Sequence, residues 1–245
     1  MVMPAEQPTI LATSGGLRAG HRTFVEFGKL IHFAVDLAGV QGRAPRLCHV
    51  GTAGGDQRYM NANMAEAGNL AGIGVSFLNL FTMPPTDDLE DFVLSHDVIW
   101  VGGGSVANLL AVWEVHGLGA VFRKAWEAGV VLSGVSAGSI CWHVGGATDS
   151  FGPELRIVTN GLGFLPYGNG VHYDSEEARR PKIHEAVAAG LLPTTYCTDD
   201  GVGLLYRGTE LVEAVSERRG SGAYVVTREE SSATAQEEKL DTRLL

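Results

Sequence analysis

The run Val130-Val131-Leu132-Ser133-Gly134-Val135-Ser136-Ala137-Gly138-Ser139-Ile140-Cys141-Trp142 constrains this chain more than any other stretch. It starts apolar and β-branched, passes through Gly134-x-Ser136-x-Gly138, and continues into residues that can form a helix. Strand, tight turn and helix in that order make a nucleophile elbow, in which flanking glycines remove Cβ atoms that would clash across a strained turn. Such a turn lifts a hydroxyl above a sheet edge, and the following helix aims its first amides at the reacting carbon. With 33 glycines in the chain, the pattern could equally arise as a glycine-rich turn. The strand before it and the helix after it favour the elbow. Ser136 is therefore the candidate nucleophile, while Ser133 and Ser139, away from the apex, read as structural.

An elbow needs a sheet, and the chain supplies one by repetition. Thr9 to Thr13, Arg46 to Val50, Ile73 to Phe81 and Asp97 to Val101 read as strands. Apolar residues at helical spacing fall between them: Phe24 to Leu37, a segment ending near Gly68, Asp87 to Leu94 and a helix from Val106. A further helix, Val121 to Ala128, leads into the elbow. Strands alternating with helices predict an α/β fold with a mostly parallel sheet flanked by helices, and ligands then bind at the carboxyl ends of the strands. From Gly145 to Gly170 the periodicity fails. A helix is expected from Pro181, which puts Arg179 and Arg180 at its N-terminus, the wrong end for cations by the helix dipole. Thr195 to Thr198, Val202 to Tyr206, Glu210 to Val215 and Ala223 to Thr227 predict short, finally antiparallel strands. No repeat or linker divides residues 1–245, so one domain is expected, with 228–245 as a loose polar tail.

Composition narrows the partners. A formal net charge of -10 without any Lys/Arg cluster argues against nucleic acid. Cys48, Cys141 and Cys197 lack disulfide or zinc spacing and read as reduced core residues. The segment Met1 to Gln7 has no signal-peptide pattern and no apolar run is long enough to cross a bilayer, so a cytoplasmic protein without membrane partners is the expectation.

A serine hydroxyl needs a base, and that base a carboxylate. Of eight histidines, His172 lies best, in a strand-to-loop segment after the elbow. His49, at a strand end, is the alternative, and His143 falls two turns down the elbow helix. Asp199 and Asp200 both end a strand before Gly201. Asp200 is preferred and Asp199 stays open, while Asp174 is two residues from His172 and suited to capping a turn. The order Ser, His, Asp differs from that of α/β-hydrolases. Gly102-Gly103-Gly104-Ser105, at another strand end, could cradle a phosphate, but it lacks a Gly-Lys-Ser/Thr ending. Its bare amides fit better facing Ser136.

These four blocks, Gly102 to Ser105, Gly134 to Gly138, the His172 segment and Asp200-Gly201, resemble peptidase E, the serine peptidase family S51 that includes α-aspartyl dipeptidase and the cyanophycinases. The resemblance runs from the first strand to about Tyr206. It implies a flavodoxin-like fold similar to class I glutamine amidotransferases, with Ser136, His172 and Asp200 as the triad. Asp200 stands where the aspartyl dipeptidase has glutamate. It also implies an oxyanion hole from the amides of Gly104 and Ala137, and substrate contacts from Gly103, Ser105 and Arg179. Ser105 replaces the asparagine of the aspartyl dipeptidases, and Arg179 falls where an arginine holds the substrate's aspartate. The expected activity is exopeptidase cleavage of short peptides, with a preference for acidic residues left open. No metal or organic cofactor is implied, and an apolar face with the resemblance is compatible with a homodimer. An esterase or amidase on the same triad, and a non-catalytic amidotransferase-like binding protein, are the rival readings.

Overall fold

Short apolar runs bounded by glycine or polar turns become the buried strands of the main sheet in the computed structural model, which describes residues 5, 7–229 and 234–245. Of the N-terminal segment read for a targeting signal, residues 1–4 and 6 lie outside the described residues, as do 230–233 of the expected tail. The first half of the chain forms strands β1 (Thr9–Thr13), β2 (Leu17–Ala19), β3 (Val25–Phe27), β4 (Arg46–Val50), β5 (Gly74–Phe77), β6 (Val98–Val101) and β7 (Val131–Val135). Its helices are α1 (Lys29–Leu37), α2 (Arg58–Ala71), α3 (Leu89–Leu94), α4 (Val106–Val115), α5 (Leu118–Glu127) and the single turn α6 (Ala137–Ile140) after β7. The second half adds β8 (His143–Thr148), β9 (Arg156–Val158), β10 (Leu165–Gly170), α7 (Arg179–Ala188), β11 (Thr195–Thr198), β12 (Val202–Arg207), β13 (Glu210–Ser216), β14 (Ala223–Glu229), β15 (Thr234–Leu240) and β16 (Thr242–Leu244).

The main sheet has the order β16-β13-β12-β1-β7-β6-β4-β5, parallel from β1 to β5 and antiparallel where β12 meets β1 and β13. Every residue of β1 and β6 is buried, as expected for strands covered on both faces. On one face Leu109, Trp113, Phe122 and Trp126 of α4 and α5 pack on Ile10, Ile99 and Leu132. On the other, Leu30, Ile31 and Ala34 of α1 and Met64 and Ala67 of α2 pack on Leu11, Leu47, Val98 and Val131. This is the predicted α/β architecture with C-terminal antiparallel strands.

A second sheet, β15-β14-β11-β10-β8-β9, carries α7 on its surface through Ile183, Ala186 and Val187. Three of its strands occupy the stretch where periodicity fails. Their glycines are close-approach residues: a Cβ at Gly145 would lie 1.9 Å from the Val158 carbonyl oxygen, and one at Gly146 2.2 Å from that of Asn169. The elbow helix ends at Ile140, so His143 opens β8 instead of lying two turns along a helix. Helix α1 begins at Lys29, and Val25 to Phe27 pair with β2. Helix α7 begins at Arg179, two residues before Pro181.

The expected loose tail is corrected by the structure. β15 pairs antiparallel with β14 from Thr234 to Leu240, and β16 pairs with β13. Its polar composition suits an edge strand, which must discourage further pairing. Glu237 turns inward, accepting from the Tyr173 hydroxyl at 2.7 Å and contacting His184 Nε2 at 2.9 Å. All three cysteines are buried and unpaired. No helix among the described residues is long and apolar enough to cross a membrane.

His49, His96 and His143 are buried, and burial lowers the pKa of each. His143 Nδ1 donates to the Ser139 carbonyl at 2.9 Å, its Nε2 faces the Tyr206 hydroxyl at 3.4 Å, and burial lowers its pKa from 6.5 to about 4. Burial likewise lowers His49 to about 4. A folded pKa below the unfolded value means that stability present above 6.5 is lost as pH falls toward 4, at about 3 kcal/mol per ring. Urea midpoints should fall across that window, and His143→Gln should make the fall shallower than in the native protein.

Candidate active site

The elbow is built by packing that admits no side chain. A Cβ on Gly134 would lie 2.5 Å from the Gly138 carbonyl oxygen and 2.6 Å from that of Val101; one on Gly138 would lie 2.2 Å from the Val101 oxygen. β6, β7 and α6 therefore meet backbone to backbone. Between the glycines Ser136 takes φ +58° and ψ -111°, outside the regions a serine prefers. Such a residue costs on the order of 1–3 kcal/mol and persists only where its surroundings over-determine it. Here the Ser136 amide donates to the Thr13 carbonyl at 3.0 Å, and its carbonyl accepts from Ser139 and Ile140 at 2.8 and 3.0 Å.

The turn after β1 holds the other candidate residues too. Ser14 Oγ accepts the His172 amide at 3.2 Å and shares a 2.6 Å hydrogen bond with Thr198 Oγ1, while its carbonyl accepts the Gly201 amide at 2.8 Å. His172, with φ +53°, directs Nδ1 to Asp200 Oδ1 at 2.6 Å, leaving Nε2 as its second functional atom. Their side chains are 23% and 28% exposed, open enough to meet a ligand. Ser136 and His172 thus hang from consecutive residues, Thr13 and Ser14. No hydrogen bond joins their side chains among the described residues.

The two adjacent aspartates separate cleanly. Asp200 faces His172, and its amide is held by Asp174 Oδ1 at 2.8 Å. Asp199 points the other way: Oδ2 accepts from the Gly222 amide at 2.9 Å and the Tyr224 hydroxyl at 3.3 Å, while Oδ1 is buried without a partner. Burial raises the Asp199 pKa, against the lowering effect of the Gly222 amide. His49 is buried in the sheet beside Gly102, on the opposite side of Ser136 from His172.

Gly103 lies against the candidate nucleophile, since a Cβ there would be 3.4 Å from Ser136 Cβ. Gly104 has φ +134°, and a Cβ would meet the Ala53 carbonyl oxygen at 2.3 Å. Among the described hydrogen bonds, the amides of Gly103, Gly104 and Ala137 donate to nothing. Unspent amides beside a nucleophile can receive an oxyanion.

Two expected substrate contacts, Ser105 and Arg179, have partners within the chain. Ser105 Oγ caps α4 by accepting the Asn108 amide at 3.2 Å. Arg179 is 3% exposed, with Nε on Glu176 at 2.6 Å and Nη1 on the Ala147 carbonyl at 2.7 Å. Burial on these partners leaves little of it exposed, and Glu176 offsets its charge at the helix start. Arg180 pairs with Glu237 and lies over the rings of Tyr173 and Tyr224. Ser14, Thr198 and Asp174 are the organising residues that sequence reasoning missed or left unassigned. Their short polar side chains carry no spacing signal, although Ser14-Gly15-Gly16 at a strand end marks the right turn.

The model of peptidase family S51 matches residues 10–214. An uncharacterized peptidase, YgaJ, of Bacillus subtilis (strain 168) is 42% identical over 182 residues, covering 74% of this chain and 78% of that protein. A putative peptidase E protein from Listeria monocytogenes EGD-e has a TM-score of 0.57 at 16% identity, over 83% of this chain and 96% of that one. A peptidase from an acI-B1 actinobacterium has a TM-score of 0.63 at 16% identity, over 96% and 95%. Both structures share the fold.

The elbow geometry predicts a sharp difference between glycines. Gly138→Ala should lower stability by about 1–3 kcal/mol, because its Cβ meets rigid backbone. Gly74→Ala, whose Cβ would lie an ordinary 3.5 Å from the Pro45 carbonyl, should change it little. Urea unfolding at constant m reads both.

Proposed function

The chain belongs to peptidase family S51, and from that membership we propose that it is a serine exopeptidase of short peptides, with Ser136 as nucleophile, His172 as general base and Asp200 as the carboxylate that orients it. The observation that carries this reading is the 2.6 Å contact between His172 Nδ1 and Asp200 Oδ1, held at the same turn that anchors the strained Ser136. Three free amides beside the serine support acyl chemistry in particular. The three buried, unpaired cysteines are compatible with a reducing, cytoplasmic setting.

The mechanism follows from those positions. Ser136 Oγ attacks the scissile carbonyl as His172 Nε2 takes its proton, and Asp200 stabilises the imidazolium through Nδ1–H. The oxyanion is met by the amides of Gly104 and Ala137, with Gly103 adjacent. Collapse breaks the C–N bond, the amine leaves with the proton from His172, and an acyl-enzyme on Ser136 remains. Water then gives a proton to His172 and attacks the ester, releasing the acid and restoring the serine. Catalytic hydrogen bonds are commonly loose before substrate binds, so the Ser136–His172 contact forms in the complex. Arg179, the residue expected to favour acidic substrates, is committed to Glu176 and Ala147, so it supplies no acidic preference.

On a panel of free and end-blocked peptides, Ser136→Ala should lower kcat on the order of 10⁶-fold. Asp200→Asn should lower it about 10⁴-fold, whereas Asp199→Asn should stay within about tenfold of native. Equal losses for the two aspartates would remove Asp200 from the triad. Cleavage that persists with both peptide ends blocked would exclude an exopeptidase, and aryl-ester cleavage without peptide turnover would favour the esterase reading.

A further inference from the structure

We infer that the cleft beside Ser136 receives the side chain on the acyl side of the scissile bond and selects an uncharged, mainly apolar one, a specificity that rests on the serine-peptidase reading above. The cleft, of about 230 Å³, is large enough for one side chain and is formed at the carboxyl ends of β4, β6 and β7. Its position follows from strand order. His172 and Asp200 stand on the β1 and β12 side of Ser136, whereas the cleft opens on the β6 and β4 side. The leaving amine must lie by His172, which protonates it, so the acyl residue lies across the serine from His172. Gly103, whose amide is free, and Val135, next to the nucleophile, both line the cleft.

The walls decide what fits. Leu17, Met60, Met64, Trp100 and Val135 supply apolar surface, and no Lys, Arg, Asp or Glu is among the lining residues. The one imidazole is His49, 3% exposed and held neutral by burial, which lowers its pKa to about 4. Gly51 and Gly102 lie close against that ring: a Cβ on the first would lie 3.4 Å from His49 Cε1, and on the second 3.3 Å from Nε2. Nδ1 of the same ring is buried without a partner. A guest therefore meets a mainly apolar wall in which the polar side chains, His49, Gln57 and Tyr59, carry no charge. A carboxylate entering it would shed water and find no cation, and an ammonium would find no carboxylate. The nearby cations Arg18, Lys29 and Arg218 line the adjoining groove beside β2, β3 and Glu217, which shares Leu17 with the cleft, and none of the three lines the cleft itself.

The test is kcat/KM for Xaa-Ala peptides with Xaa as Leu, Met, Asn, Asp, Glu or Lys, against a Leu-Xaa series, in native protein, Ser136→Ala and Gln57→Arg. Leu, Asn and Asp are close in shape and differ in polarity and charge. Leu and Met should exceed Asp, Glu and Lys by at least about 100-fold, with Asn above Asp. Gln57→Arg, placing a cation at the cleft, should raise the Glu-to-Leu ratio by about tenfold or more. Ser136-dependent turnover in which Asp or Glu equals Leu would overturn the pocket's selectivity while leaving the peptidase intact. Discrimination that tracks only the residue after the bond would overturn its assignment to the acyl side. Absence of any Ser136-dependent peptide cleavage would remove the peptidase reading and this inference with it.

Discussion

Ser14 is where the structure is tied together. Its hydroxyl takes the amide of His172 and bonds Thr198, its carbonyl takes the amide of Gly201, and the carbonyl one residue earlier takes the amide of Ser136. Backbone hydrogen bonds of this kind contribute only about 1 kcal/mol each, but leaving buried partners unpaired costs more. The loops that carry Ser136, His172 and Asp200 arrive from different parts of the chain, and this turn fixes their relative positions. β1 makes that possible because it pairs in parallel with β7 and antiparallel with β12, bringing Ser136 and Asp200 to flank one strand end.

Two of the three described non-glycine residues with positive φ are anchored at that turn. Ser136 and His172 both have positive φ, and Gly104 occupies a conformation open to glycine because the Ala53 carbonyl fills the place of a side chain. Such residues are held because both faces of the sheet are densely packed, by α4 and α5 on one side and α1 and α2 on the other. The packed sheet holds this strain and keeps the amides of Gly103, Gly104 and Ala137 without a described acceptor beside Ser136.

Polarity is partitioned with equal economy. Asp199 and Asp200 are neighbours in sequence, yet one is buried against Gly222 and Tyr224 and the other meets His172 near solvent. His49, His143 and His172 divide in the same way: two are buried, and one is left accessible beside a carboxylate. Arg179 shows the opposite outcome, a charge at a suggestive sequence position that the interior consumes.

Much of this was legible from residue order alone. Alternating apolar strands and amphipathic helices determined an α/β sheet, because burial on two faces requires those patterns. Gly134-x-Ser136-x-Gly138 determined the elbow, because the backbone contacts at Val101 admit no Cβ. The second sheet was not legible, since its glycines serve close strand contacts and carry no hydrophobic period, nor was the ordered edge strand β15, whose exposed face is charged. Only tertiary structure decided that Asp200 and not Asp199 meets His172, that Arg179 is withdrawn, that Ser14 joins the site, and that the cleft beside Ser136 is uncharged. Those outcomes depend on which way a side chain leaves its strand end and what packs against it, and both are set by contacts between residues far apart in the chain.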